Sequence, residues 1–216
     1  QSTGPHGWPD SGASGGEPMK IQNELSQLIL IDWQPRLIQA LHDGQTALAN
    51  ALRLARAARL LDLPCWGTEQ NPLRLGQLVP ELRDCCHQTW GKMAFSAALC
   101  GLQTALMPRP SGNARSLPKH LRQSPDAEPS RPHLVISGCE AHVCVLQSAL
   151  DLLEDERWVV WLVTDACASR TERNRDAAYD RLASAGAELV STEMVLFEWL
   201  GTAEHPQFKA VQALIR

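Results

Sequence analysis

Short apolar runs rich in β-branched residues alternate along this chain with segments whose apolar positions recur every three to four residues. No other feature restricts the fold as much. Leu28 to Ile31, Cys65 to Thr68, a stretch ending at Thr89 to Gly91, His133 to Ser137, Trp158 to Val163 and Glu188 to Ser191 have the length and composition of buried strands. Between them, apolar positions at 48, 51, 52, 55 and 58 mark a helix over 48–61, and further helices are expected over 94–106, 141–154, 173–185, 193–200 and 206–215. Strands joined in this way pair in parallel through right-handed crossovers. The expected fold is therefore α/β and doubly wound, a Rossmann-like three-layer sandwich whose mostly parallel sheet carries helices on both faces.

The 216 residues suit one core, and with 44% hydrophobic and 20% charged residues the composition is that of a globule. Two stretches break the pattern. Residues 1–18, rich in Gly, Pro and Ser, read as a flexible tail or expression remnant, and residues 108–132, rich in Pro, read as a surface loop with a short helix near Lys119 to Arg122. A single domain is expected over 19–216. The net charge of −4 and the lack of a basic stripe argue against a nucleic-acid partner. No apolar run approaches the roughly 18 residues of a membrane span. Seven cysteines without a C-x-x-C pair favour reduced thiols and a cytoplasmic location.

In doubly wound sheets ligands bind beyond the carboxyl ends of the strands. That rule selects Asp32, Glu69, Lys92, Asp165 and the segment Gly138-Cys-Glu-Ala-His-Val-Cys144. Cys144 falls in the first turn of a helix, where backbone N–H groups and the helix dipole are expected to favour a thiolate nucleophile. Asp32 and Lys92 are the base and the cation that such a nucleophile needs. Each residue taken alone also fits a bland role: a small buried Cys, a turn-forming Asp, a solvated Lys. Their placement on one sheet edge is what raises the catalytic reading. Asp165, Ser169 and Arg170 are expected to shape the turn after the fifth strand, and the adjacent Cys85 and Cys86 carry no functional reading.

Leu30-Ile-Asp-Trp-Gln34, Gly91-Lys-Met-Ala-Phe-Ser96, Val135-Ile-Ser-Gly-Cys-Glu-Ala-His-Val-Cys-Val145 and Thr164-Asp-Ala-Cys-Ala-Ser-Arg170 together resemble the isochorismatase-like cysteine hydrolases, over about residues 25–215. Gly67-Thr-Glu-Gln-Asn-Pro72, Leu78-Val-Pro-Glu-Leu82 and His205-Pro-Gln-Phe-Lys209 look like the isochorismatase domain-containing subgroup. The resemblance implies a triad of Asp32, Lys92 and Cys144. It also implies a cis peptide between Cys139 and Glu140, with the Glu140 and Cys144 N–H groups facing an oxyanion. Trp33, Gln34, Glu69, Gln70 and His142 are the candidate pocket residues, with Trp66 beside Trp33 as an aromatic wall. Nicotinamidases of this superfamily bind a metal after the second strand through Asp and His. Here Thr68-Glu69-Gln70 stands in that place, which is poor in transition-metal ligands, so neither metal nor other cofactor is expected.

The sequence thus points to a metal-independent hydrolase that cleaves an amide or imide C–N bond of a small molecule through a Cys144 thioester. The resemblance suggests a homodimer or larger homo-oligomer. Two rival readings are a catalytically idle scaffold that binds a metabolite or protein, and a thiol redox protein pairing Cys144 with Cys139.

Overall fold

The computed structural model describes residues 20–106 and 131–216. The expected tail, and nearly all of the Pro-rich stretch with its short helix, lie outside them. The elements in chain order are β1 (Ser26–Ile31), α1 (Pro35–Ile38), α2 (Gly44–Leu60), β2 (Cys65–Gln70), α3 (Pro72–Leu75), α4 (Pro80–Arg83), β3 (Gln88–Lys92), α5 (Leu102–Leu106), β4 (His133–Cys139), α6 (Leu146–Leu153), β5 (Val159–Ala168), α7 (Glu172–Ser184), β6 (Glu188–Val190), α8 (Thr192–Leu200) and α9 (Phe208–Gln212). Among the described residues one six-stranded sheet runs in the order β3-β2-β1-β4-β5-β6, with every neighbouring pair parallel. The chain starts in the middle of the sheet and winds outward both ways, so β1 and β4 flank the switch point where a doubly wound sheet opens a crevice.

Period two along the strands divides the core. Leu28 and Leu30 of β1 and Val135 of β4 pack under α2, α8 and α9 with Leu54, Val195, Trp199 and Val211. Ile29 and Ile31 of β1 with Leu134 and Ile136 of β4 pack under α5, α6 and α7 with Leu102, Leu152 and Leu182. Small residues bring α2 close to the sheet: Ala47, Ala51, Ala55 and Ala58 are all buried along its inner face. Thr171 caps α7 by accepting a bond from the Asn174 N–H (3.2 Å), and Asp165 accepts from the Thr192 N–H and hydroxyl (2.8 Å each), fixing the start of α8.

Two expected elements differ. The helix over 94–106 is broken into a 3-10 turn, Ala97–Leu99, and α5, because Gly101 between them has φ +96°, a conformation that ends a right-handed helix. β5 runs on from Val163 to Ala168, resuming its pairing with β4 after a register shift, so Asp165 lies within the strand and not beyond it.

Candidate active site

Register assembles the site. Gln70 and Lys92 are paired positions at the ends of β2 and β3, and Ile31, the last residue of β1, is paired with both Thr68 and Gly138. On β2 the even-numbered residues Trp66, Thr68 and Gln70 share a face, and Trp66 belongs to the core under α5, α6 and α7, as does Cys144. Side chains that are far apart in sequence therefore meet above one face of the sheet.

Asp32 follows β1 with φ +55°, a left-handed conformation that Asp tolerates better than most residues. Its carboxylate is fully buried. Oδ1 accepts from the Thr68 hydroxyl at 2.8 Å and Oδ2 from Lys92 Nζ at 2.8 Å. Lys92 is buried too, and its ammonium also donates to Gln70 Oε1 (2.5 Å), the Phe95 carbonyl (2.9 Å) and the Ala94 carbonyl (3.3 Å). Cys144, only 3% exposed, lies 3.8 Å through Sγ from the same Gln70 Oε1. The structure thus brings Asp32, Lys92 and Cys144 to one buried cluster.

Cys144 sits in a wide, π-type turn, Ala141–Val145, that leads into α6. This turn lies tight on the sheet because Gly138 lacks a side chain: a Cβ there would come within 2.7 Å of both the Ile31 carbonyl and Ile31 Cβ, and 2.8 Å from Val145 Cγ2. Ser148, one turn after Cys144, donates to the Cys144 carbonyl (2.6 Å) and accepts from the Ala97 N–H (2.7 Å), tying the turn to the chain that follows β3.

Burial pushes the Cys144 thiol up to about 12; the Asp32 carboxylate adds to the rise, and the Lys92 ammonium opposes it. The expected resting thiolate is therefore corrected. Loss of hydration outweighs the lysine, so the group waits as a thiol. The chain reversal between Cys139 and Glu140 is also unlike the expectation. That peptide bond is trans, and the turn is made by Glu140 at φ +55°.

The candidate pocket residues divide. Gln34 and Gln70 are buried beside that cluster: Gln34 Oε1 accepts from the Gln70 N–H (2.8 Å), and Gln34 Nε2 donates to the Gln70 carbonyl (3.0 Å). Trp33 is not a pocket wall. It is fully buried on the opposite face, under α2, with its indole N–H donating to Ser137 Oγ (3.1 Å). Trp66 shares the face of Asp32, Lys92 and Cys144 but bonds through its indole N–H to Gln27 Oε1 (2.8 Å), at the far end of the strands. Glu69 also points away, as the alternation along β2 requires, and accepts from the Leu78 N–H (2.9 Å) and Arg83 (3.1 Å). His142 reaches Ser169 Oγ through Nδ1 (2.9 Å) and lies 3.5 Å from Glu140 Oε2, with Arg170 3.3 Å from the other carboxylate oxygen. Burial lowers its proton affinity. Cys139 packs into the core under α2 while Cys144 packs into the core under α6, so the sheet separates the proposed redox pair. Two contributors went unrecognised in the sequence. Thr68 could have been found as the polar partner of Gln70 on a buried strand, and Ser148 as the residue one helical turn from Cys144.

The Isochorismatase domain family model matches residues 26–194. The chain belongs to the isochorismatase family. It is 36% identical over 191 residues to isochorismatase domain-containing protein 2 of Bos taurus, an alignment covering 88% of this chain and 83% of that protein. Among solved structures it is similar to the MAR1 ribonuclease of Caenorhabditis elegans, with 30% identity, a TM-score of 0.75 and coverage of 91% of this chain and 92% of that one. It also shares its fold with the YcaC gene product of Escherichia coli, described as an octameric hydrolase of unknown specificity, with 23% identity, a TM-score of 0.72 and coverage of 92% and 89%. The family fold is consistent with a hydrolase. Among the described residues no helix is long and apolar enough to cross a membrane, and no three His, Cys, Asp or Glu side chains are grouped to hold a metal ion.

Proposed function

We propose that the domain over residues 19–216 is a metal-independent cysteine hydrolase that cleaves the C–N bond of a small amide or imide. The observation that carries this is the buried contact of Asp32 with Lys92 at 2.8 Å, with the Cys144 thiol 3.8 Å from Gln70 Oε1, the same oxygen that accepts from Lys92. A buried ion pair beside a buried thiol is costly to build for stability alone. As substrate enters, Asp32 takes the thiol proton while Sγ attacks the carbonyl carbon, so a free thiolate never has to accumulate. The oxyanion is held by the backbone N–H of Cys144, while the Glu140 N–H, assigned there through a cis peptide, loses that basis because the bond is trans. Collapse of the tetrahedral adduct breaks the C–N bond, and the departing nitrogen takes the proton from Asp32. Asp32 then removes a proton from water, hydroxide attacks the thioester, and Cys144 leaves and recovers the proton. Lys92 offsets the negative charge that passes between Asp32 and Cys144.

The test is a screen of small amides, imides and carbamoyl compounds against the wild type and Cys144→Ala, with mass analysis of trapped protein. Turnover that needs Cys144, and an acyl adduct on its peptide, is the expected result. Wild type that turns over nothing and acquires no adduct would favour the idle scaffold. A ribonuclease reading has one observation in its favour, the description of the Caenorhabditis elegans relative. Against it stand the net charge of −4 and a site whose lysine is already committed to four oxygens. Cleavage of RNA that disappears in Cys144→Ala would move the substrate to that class.

A homo-oligomer is part of the proposal. Leu73 is fully exposed on α3, and Met93, Phe95 and Leu99 are more than half exposed along the chain after β3, where water contact with so much apolar surface is unfavourable. Sedimentation should give a mass above the 23.8 kDa of one chain, and a monomer at micromolar concentration would remove this part. Seven free thiols support the cytoplasmic placement.

A further inference from the structure

The ammonium of Lys92 has three hydrogens to donate, and four oxygens surround it. None is left over for a substrate. Two of the four acceptors are backbone carbonyls, and the third is the catalytic carboxylate. The fourth and nearest is the side chain of Gln70, and its orientation is fixed. Gln70 Nε2 donates to the Met93 carbonyl at 2.9 Å, so Oε1 is the end that faces the lysine. The reverse orientation would set an amide NH2 against an ammonium, donor against donor. The peptide groups flanking this residue are held as well. Gln34 accepts from the Gln70 N–H and donates to the Gln70 carbonyl, and its Nε2 also donates to the Gly76 carbonyl at 2.6 Å. The immobilised oxygen is then shared: it accepts from Lys92 and, at 3.8 Å, it is an acceptor for the Cys144 S–H, beside the Asp32 carboxylate, which also hydrogen-bonds this thiol.

Taking Cys144 as nucleophile and Asp32 as base, as proposed above, we infer that Gln70 is a positioning residue: its Oε1 anchors the Lys92 ammonium and holds the Cys144 hydrogen in the resting enzyme. A lone pair aimed at sulfur is favourable while sulfur carries its hydrogen and repulsive once it does not. Gln70 therefore opposes formation of the thiolate until substrate is present to use it. Both functional atoms of its amide are already bonded, so Gln70 is not a substrate ligand. Gln34 acts one step further out, by clamping Gln70.

The sign of two substitutions separates this role from a merely structural one. Gln70→Met removes the oxygen and keeps the length, so thiolate should form more easily. Gln70→Glu keeps the shape and puts a carboxylate beside the sulfur, so thiolate should form less easily. The readout is the rate at which iodoacetamide labels Cys144, followed by peptide mass mapping from pH 7 to 11 in wild type, both Gln70 variants and Asp32→Asn. We expect labelling at fixed pH to rise roughly tenfold in Gln70→Met and to fall by a similar factor in Gln70→Glu, one pH unit in each direction. In Asp32→Asn it should rise, because a negative neighbour is lost. Gln70 variants that label like wild type, or that shift in the same direction, overturn the proposal, and if Asp32→Asn still shifts, the triad reading survives it. Labelling unchanged in Asp32→Asn would count against the triad itself. Should Gln70→Met fail to fold, the nearly isosteric Gln70→Glu decides alone: labelling at or above the wild-type rate refutes the role.

Discussion

Replacing Lys92 with Met tests whether the buried ion pair is as central as its geometry implies. Methionine nearly matches the length of the lysine stem, so packing changes little, but the ammonium is lost. The side chains of Lys92 and Asp32 are 1% and 0% exposed, and water cannot replace the missing donor. Asp32 Oδ1 keeps the Thr68 hydroxyl, whereas Oδ2 and Gln70 Oε1 both lose a donor. Removing one partner of a buried pair costs about 3–5 kcal/mol. In a chain of this size each kcal/mol moves the melting temperature by about 2–4 °C, so a fall of roughly 6–20 °C is expected. Urea denaturation at pH 7 would measure the free energy, and calorimetry the melting point. The double variant Asp32→Asn with Lys92→Met has no orphan charge and should be more stable than Lys92→Met alone, although inactive. A cost below about 1 kcal/mol for the single substitution, or single costs that simply add in the double variant, would mean that the pair behaves like a solvated one. The argument from burial would then be wrong.

Three further outcomes follow from the same geometry. With its thiol pushed up to about 12, Cys144 at pH 7 should be roughly one part in 10⁵ thiolate, against about 3% for an ordinary cysteine, so without substrate iodoacetamide should label the more exposed Cys85 first; peptide mapping that finds Cys144 fastest would contradict this. The same raised value gives a stability contribution that is complete below the unfolded thiol's pKa, about 8.5, and lost as pH climbs from there towards 12; the urea midpoint should fall over that range, and fall less in Cys144→Ala. Gly138→Ala should cost about 1–3 kcal/mol and most of the activity, since its methyl meets backbone at 2.7 Å and the turn carrying Cys144 must lift, whereas Glu69→Gln should weaken folding through Arg83 and leave turnover nearly intact; activity retained in the first or abolished in the second would refute the assigned positions.

How much of this could be read from the chain depends on which physical rule each residue obeys. The order of strands and helices was legible because burial on both faces leaves long apolar runs, and the edge on which Asp32, Lys92 and Cys144 meet follows from parallel winding alone. Resemblance joined the three residues into a triad, and the register then places Gln70 beside Lys92 at paired strand ends. What misled was adjacency in sequence. Trp33 and Glu69 each neighbour a site residue, yet each turns to the other face, Glu69 because side chains alternate along β2 and Trp33 because the left-handed turn at Asp32 redirects the chain. Alternation applied strictly to Thr68, Glu69 and Gln70 would have chosen the outer two and rejected the carboxylate between them. The protonation state was illegible for a different reason. A helix start and a nearby lysine are visible in the letters and favour a thiolate, whereas desolvation, which exceeds the lysine's effect here, depends on how completely other segments cover the sulfur. Among these covering groups Gln70 is the one whose contribution has a sign that substitution can reverse. On the proposed reading, the ionisation of Cys144 is therefore set less by its own turn than by what covers it, and Gln70, supplied from two strands away, is the part of that cover whose effect the labelling experiment isolates.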